Sequence, residues 1–191
     1  MRDKKFLAVF DMDGTLFDTR KTNFFAYHDA IKEVVGNSVE YDIFNSLSNG
    51  QNYKNFLPKI VEKISNDEIN EIHNLKKLYY KKHIKCAIKN DHLFRIISSI
   101  KDSYIITLAT TASKKNTIEI LNHFKVIDLF EIVVAQEDVV NLKPDPECFI
   151  NIMHETNIEP INTLIFEDSV VGMEAARLSK ASVVNIDIFN V

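Results

Sequence analysis

From residue 91 onward, short apolar runs alternate with stretches of helical spacing, and this alternation constrains the fold more than any other feature of the chain. It is preceded by Phe6–Phe10, an apolar run that stops at Asp11, as a strand buried on both faces would. Leu93, Ile96, Ile97 and Ile100 share one helical stripe, with Asp91 as the expected N-cap. Tyr104–Ala109 reads as a second strand. Ser113 then caps a helix bearing Ile118, Leu121 and Phe124, and residues 131–135 form a third strand. Asp145, Pro146 and Glu147 read as N-cap, first-turn proline and first-turn acid of a helix carrying Phe149, Ile152, Met153 and Thr156. A strand at 163–166, a helix at 169–178 and a last strand at 183–186 complete the pattern. Strands joined by helices predict an α/β fold, a doubly wound parallel sheet with helices on both faces.

One connection breaks the rhythm. Residues 11–103 separate the first strand from the second, far more than the roughly dozen residues that a parallel crossover needs. The extra chain is expected to be a small α-helical cap domain at 19–89, leaving 1–18 and 90–191 as the core that carries the sheet. Amphipathic stretches at 24–35 and 67–88 supply its helices, with Gly36, Gly50 and Pro58 as breaks. A length of 191 residues, 46% of them hydrophobic, suffices for one buried core with such an insertion.

Charge and composition remove other classes of function. Lys and Arg total 23 against 27 Asp and Glu, a net charge of -4, so no basic field exists to grip a nucleic acid. Charges interrupt the apolar stretches well short of the roughly 20 residues that a membrane helix requires. The start, Met1-Arg2-Asp3-Lys4-Lys5, has no apolar signal-peptide core. Two distant cysteines, Cys86 and Cys148, outline neither a disulfide framework nor a zinc site, so a reducing, cytoplasmic location is expected. A monomer is the simplest assembly.

In an open parallel sheet, ligands bind beyond the carboxyl ends of the strands. Four such ends carry polar residues here: Asp11-Met12-Asp13-Gly14-Thr15, Thr110-Thr111, the Lys143-Pro144-Asp145 loop, and Glu167-Asp168. Carboxylates from two strand ends make a hard oxygen site suited to Mg2+ together with a substrate phosphate. A hydroxyl and an ammonium beside them would complete an anion pocket, so the expected chemistry is phosphoryl transfer. Each residue alone has a blander reading. Asp13-Gly14 could be a turn, Asp168 and Ser169 helix caps, and Lys143 a solvated loop lysine; the array is what points to chemistry.

The run from Asp11 to Leu16, with Thr110, Lys143-Pro144 and the stretch from Phe166 to Ala176, resembles the four ordered motifs of the haloacid dehalogenase superfamily. Its nearest branch is that of the small helical-cap phosphatases and β-phosphoglucomutase-like proteins. The resemblance covers the core and implies a Rossmann-like sheet; the cap matches only in position and helical character. It implies that Asp11 is the nucleophile forming an aspartyl-phosphate, and that Asp13 is general acid and then base, its carbonyl also on the metal. It further implies Asp168 as a second carboxylate ligand, Glu167 as a direct or water-mediated one, Thr110 on the phosphate with Thr111 as the neighbouring alternative, Gly14 beside the substrate, and Lys143 offsetting charge. Lys180 departs from the pattern where the last helix commonly ends in Gly.

Asp13 also separates the reactions. Ester hydrolysis needs a proton donor for the leaving alkoxide and halide displacement does not, so dehalogenation is disfavoured. The expected activity is a Mg2+-dependent phosphatase acting on a small phosphorylated metabolite, such as a sugar, polyol, amino-alcohol or glycolate phosphate. The alternative is a mutase whose cap excludes water and returns the phosphoryl group to a second hydroxyl. A receiver-like phosphoacceptor fits poorly, because its acceptor follows the third strand and it has no long insertion after the first. Substrate choice is expected of the cap, with Arg20, Gln51 and Lys54 as candidate contacts, although solvated cap charges would read the same way.

Overall fold

The computed structural model describes residues 4–48, 51–187 and 189; Gly50, expected as a break, and the first three residues of the charged start lie outside them. The elements follow as β1 (Phe6–Phe10), β2 (Phe17–Asp18), α1 (Arg20–Val35), α2 (Tyr41–Ser48), α3 (Tyr53–Ile60), α4 (Asn66–His83), β3 (Ile88–Lys89), α5 (Asp91–Ile100), β4 (Tyr104–Ala109), α6 (Lys114–His123), β5 (Ile132–Val134), α7 (Glu147–Thr156), β6 (Thr163–Glu167), α8 (Val170–Leu178) and β7 (Ser182–Asn185). Five strands form a parallel sheet in the order β5-β4-β1-β6-β7. Leu7, Ala8, Val9 and Phe10 are all fully buried, which is why β1 has no polar face and occupies the centre. Leu7 and Val9 pack with Cys148, Phe149, Ile152 and Met153 of α7 and Ala175 and Ala176 of α8. The period of two turns Ala8 and Phe10 to the opposite face.

From β1 the chain winds toward β4 and β5, then returns to place β6 on the other side of β1 and continues to β7. The direction of winding therefore reverses between β1 and β6, the crevice where open α/β sheets bind ligands. Phe10 pairs in register with Phe166, and their rings stack at 4.4 Å between centroids. The residues just beyond this pair, Asp11 and Glu167, thus emerge side by side at the carboxyl edge.

Two compact units are present, one running to Asp18 and resuming at Ile88, the other spanning Thr19–Ala87. The second is helical. Phe24, Tyr27, Ala30 and Ile31 of α1 share its core with Phe44, Phe56, Leu57, Ile69 and Ile72. Ser65 and Glu68 form a capping box at the start of α4, and Gly36 ends α1 in the left-handed conformation at φ 72°.

Several local expectations are corrected. Asn90 rather than Asp91 caps α5, its Oδ1 accepting from the Leu93 N–H at 3.2 Å. The N-cap of α7 is Pro146, although the Asp145 carboxylate still accepts from the Glu147 N–H at 2.9 Å. Pro58 lies inside α3; it forfeits one backbone bond, and burial of Phe56 and Leu57 holds the helix regardless. The helix expected over 67–88 stops at His83 and gives way to a 3-10 turn, Ile84–Cys86. β2 and β3 pair as a two-stranded antiparallel ribbon, Phe17 opposite Lys89, which sequence periodicity did not indicate because two residues cannot display a period.

Candidate active site

Beyond β1 the chain turns tightly. The Met12 carbonyl accepts from the N–H groups of Leu16 and Phe17, each at 3.0 Å, and the Gly14 N–H donates to the Phe17 carbonyl at 2.8 Å. Gly14 has φ +90°, and a Cβ there would fall 2.1 Å from Asp168 Oδ2, so both backbone and space require glycine. The next residue, Thr15, donates through Oγ1 to Asp168 Oδ1 at 2.9 Å. Asn90, buried, holds this turn from behind by donating its Nδ2 to the Thr15 carbonyl at 3.0 Å and its backbone N–H to the Leu16 carbonyl at 2.9 Å.

Lys143 reaches the same edge from the loop before α7. Its Nζ lies 2.7 Å from Asp11 Oδ1, 2.7 Å from Glu167 Oε2 and 3.0 Å from the Ala109 carbonyl. All three of its donors are thus used. Glu167 is equally committed, since its Oε1 accepts from Asp168 N, Ser169 N and Ser169 Oγ at 3.1, 3.1 and 2.9 Å. Beneath it, Gly172 of α8 leaves the space the carboxylate occupies.

One ammonium faces three carboxylates here, and burial together with like charge raises the proton affinity of Asp11 and Asp168. Burial, with the neighbouring Glu167, holds Asp11 well above the usual carboxylate range, against the pull of Lys143. Burial and Glu167 push Asp168 up to about 6, with Thr15 opposing. Burial works against the charge on Lys143, but Asp11 and Glu167 outweigh it and raise its pKa. One oxygen each of Asp11, Glu167 and Asp168 lie within 4.8 Å of one another. A hard, oxygen-only donor set short of positive charge fits a divalent cation that prefers carboxylates.

The other residues expected at the site are placed as follows. Asp13 is half-buried within the turn and bridges to Phe17; its side chain is not part of the three-carboxylate group found among the described residues, but its charge contributes to raising Asp168. Thr110 directly follows β4 and is buried, its Oγ1 accepting from the Ala112 N–H at 3.1 Å, whereas Thr111 is exposed. Arg20 opens α1 and Lys54 sits in the first turn of α3; with Gln51 they belong to the helical unit and are exposed. Asn90 and Gly172 were not singled out from sequence. An Asn directly before a helix that begins with an acid signals a cap, but nothing local reveals that Asn90 also holds Thr15.

A family model for haloacid dehalogenase-like hydrolases matches residues 8–186. A phosphorylated carbohydrates phosphatase of Thermotoga maritima is 29% identical, covering 89% of this chain and 79% of the relative. Fructose-1-phosphate phosphatase YqaB of Escherichia coli is 25% identical over 93% of this chain and 94% of its own. The fold is shared with a crystal structure described as a predicted phosphoglycolate phosphatase from Haemophilus somnus, at TM-score 0.85, 20% identity, and coverage of 97% of this chain and 86% of that one. The chain belongs to the haloacid dehalogenase-like hydrolase family. It is an enzyme of that family, and these two relatives are named phosphatases.

Proposed function

We propose that this enzyme hydrolyses a small phosphomonoester, a phosphorylated carbohydrate before other classes, through an aspartyl-phosphate on Asp11. The observation that carries the reading is the meeting of Asp11, Lys143, Glu167 and Asp168 at the sheet's switch point. Carbohydrate is preferred because two of the matched relatives are named for phosphorylated carbohydrates and for fructose 1-phosphate.

The Asp11 carboxylate attacks phosphorus, the bond to the leaving oxygen breaks, and Asp13 gives that oxygen its proton. Asp13 then takes a proton from water, which attacks the aspartyl-phosphate and frees inorganic phosphate and Asp11. Lys143 holds Asp11 in place and offsets its charge, and Thr110 donates to a phosphoryl oxygen. Asp11, Asp168 and Glu167, with the Asp13 carbonyl, would hold Mg2+. When bound, the ion supplies positive charge against the phosphoryl oxygens. The helical unit, with Arg20, Gln51 and Lys54, selects the leaving group. A cytoplasmic setting suits the two free cysteines, Cys86 and Cys148.

The test is phosphate release from a panel of sugar, polyol and glycolate phosphates with and without Mg2+, comparing the intact enzyme with Asp11→Asn. Metal-dependent release that disappears in the variant is expected. Undiminished release by Asp11→Asn would overturn the assignment of the nucleophile. Isomerisation of hexose 1-phosphates without release would replace hydrolysis by the mutase reaction.

A further inference from the structure

Lys143 makes three short contacts, yet the loop that carries it has little packing to hold it. Val140 is 89% exposed, and Asn141, Pro144 and Asp145 are exposed as well. The loop is closed instead by one side chain at its far end. Glu147, the first residue of α7, accepts from the backbone N–H of Val140 at 2.8 Å through Oε1, and through Oε2 from the N–H of Asn141 at 2.8 Å and Asn141 Nδ2 at 3.0 Å. Within the ring so formed, the Asp145 N–H donates to the Leu142 carbonyl at 3.0 Å, a turn with Lys143 at its second position. Charge-assisted bonds to a carboxylate are the strong members of their class.

We propose that Glu147 is a positioning residue for the reaction: its carboxylate closes the 140–147 loop and so holds the Lys143 ammonium on Asp11 and Glu167. The proposal rests on the role given above to Lys143. Glu147 itself touches neither Asp11 nor Glu167 through any of these bonds and acts only through the loop. Its side chain is on the surface, so its removal disturbs no core.

The experiment compares Glu147→Ala, Glu147→Gln and Lys143→Ala with the intact enzyme by steady-state kinetics and thermal unfolding, and by the rate at which acetic anhydride modifies Lys143, read by peptide mass spectrometry. In Glu147→Ala, kcat is expected to fall about tenfold, short of the ~100-fold that a clear misplacement of a catalytic group costs. KM and the unfolding temperature should stay nearly unchanged, and Lys143 should be acetylated several-fold faster. Glu147→Gln, which keeps one acceptor oxygen, should recover much of the loss. Unchanged acetylation of Lys143 in Glu147→Ala overturns the clamp whatever the substrate proves to be. Full activity in Glu147→Ala beside an inactive Lys143→Ala overturns it too, whereas full activity in Lys143→Ala would fault the reading of the active site instead.

Discussion

Gly172 lies so close beneath Glu167 that a Cβ on it would fall 2.0 Å from Glu167 Cδ and 2.1 Å from Oε2. A free glutamate could swing aside at little cost. Glu167 cannot, because it is only 1% exposed and both of its oxygens are bonded, one to Lys143 and one to the turn that begins α8. Gly172→Ala should therefore displace the carboxylate, lower phosphatase activity about 100-fold and weaken Mn2+ binding measured by calorimetry without substrate. An active variant with unchanged metal affinity would mean that Glu167 has more freedom than these bonds allow.

Removing the ammonium strands the groups around it. Lys143 has a side chain 4% exposed, beside Asp11 and Glu167 at 10% and 1%. Lys143→Met should abolish activity and lower the stability of the metal-free protein by about 3 kcal/mol in urea unfolding, since buried carboxylates are left without their partner. A loss under about 1 kcal/mol would mean that water reaches the pocket.

His73, in the helical unit, governs a different dependence. Its ring stacks on Tyr53 at 3.7 Å, and its Nδ1 lies within hydrogen-bond distance of the Tyr27 hydroxyl, at 2.9 Å. Burial, then the charges of Lys77, Lys76 and Lys54, lower its pKa from 6.5 to about 3. The unfolded chain therefore binds a proton here below pH 6.5 while the folded one does not, so the stability contributed by the neutral ring is complete above that pH and drains away toward about 3. Allowing for its partial exposure, about 1 kcal/mol should be lost by pH 5. His73→Gln should flatten that part of the stability profile, and a variant with the same slope as the intact protein would rule the histidine out.

Lys54 extends toward the Tyr53 ring, its Nζ 5.9 Å from the centroid, and is otherwise exposed. If it meets the leaving group, Lys54→Ala should raise KM for the physiological phosphomonoester and leave turnover of a small synthetic aryl phosphate intact. Equal losses on both would remove it from substrate selection.

What the sequence revealed and what it hid follow a physical divide. Phe6–Phe10 and Tyr104–Ala109 were legible to the residue because a doubly buried strand must be predominantly apolar, and the strand ends and the loop before α7 located Asp11, Lys143 and Asp168 at one edge. The cap of α6 was legible to the residue, Ser113 accepting from the Asn116 N–H, whereas that of α5 was legible only to within one, since Asn90 and Asp91 offer equivalent oxygens and only the backbone geometry chooses between them. The roles of the site's supports were hidden. Asn90 meets Thr15 across 75 residues, a relationship that no local pattern encodes; Gly172 lay within the Phe166–Ala176 motif, but only the structure shows that it makes room for Glu167.

The central claim is that Asp11 carries the phosphoryl group. Brief exposure of the Mg2+-loaded enzyme to a turned-over phosphomonoester, an acid quench and peptide mapping by mass spectrometry should find one hydroxylamine-labile phosphoryl group on the peptide containing Asp11. Finding that label on another residue, or trapping none on Asp11 while a burst of alcohol release shows that an intermediate accumulates, would contradict the account.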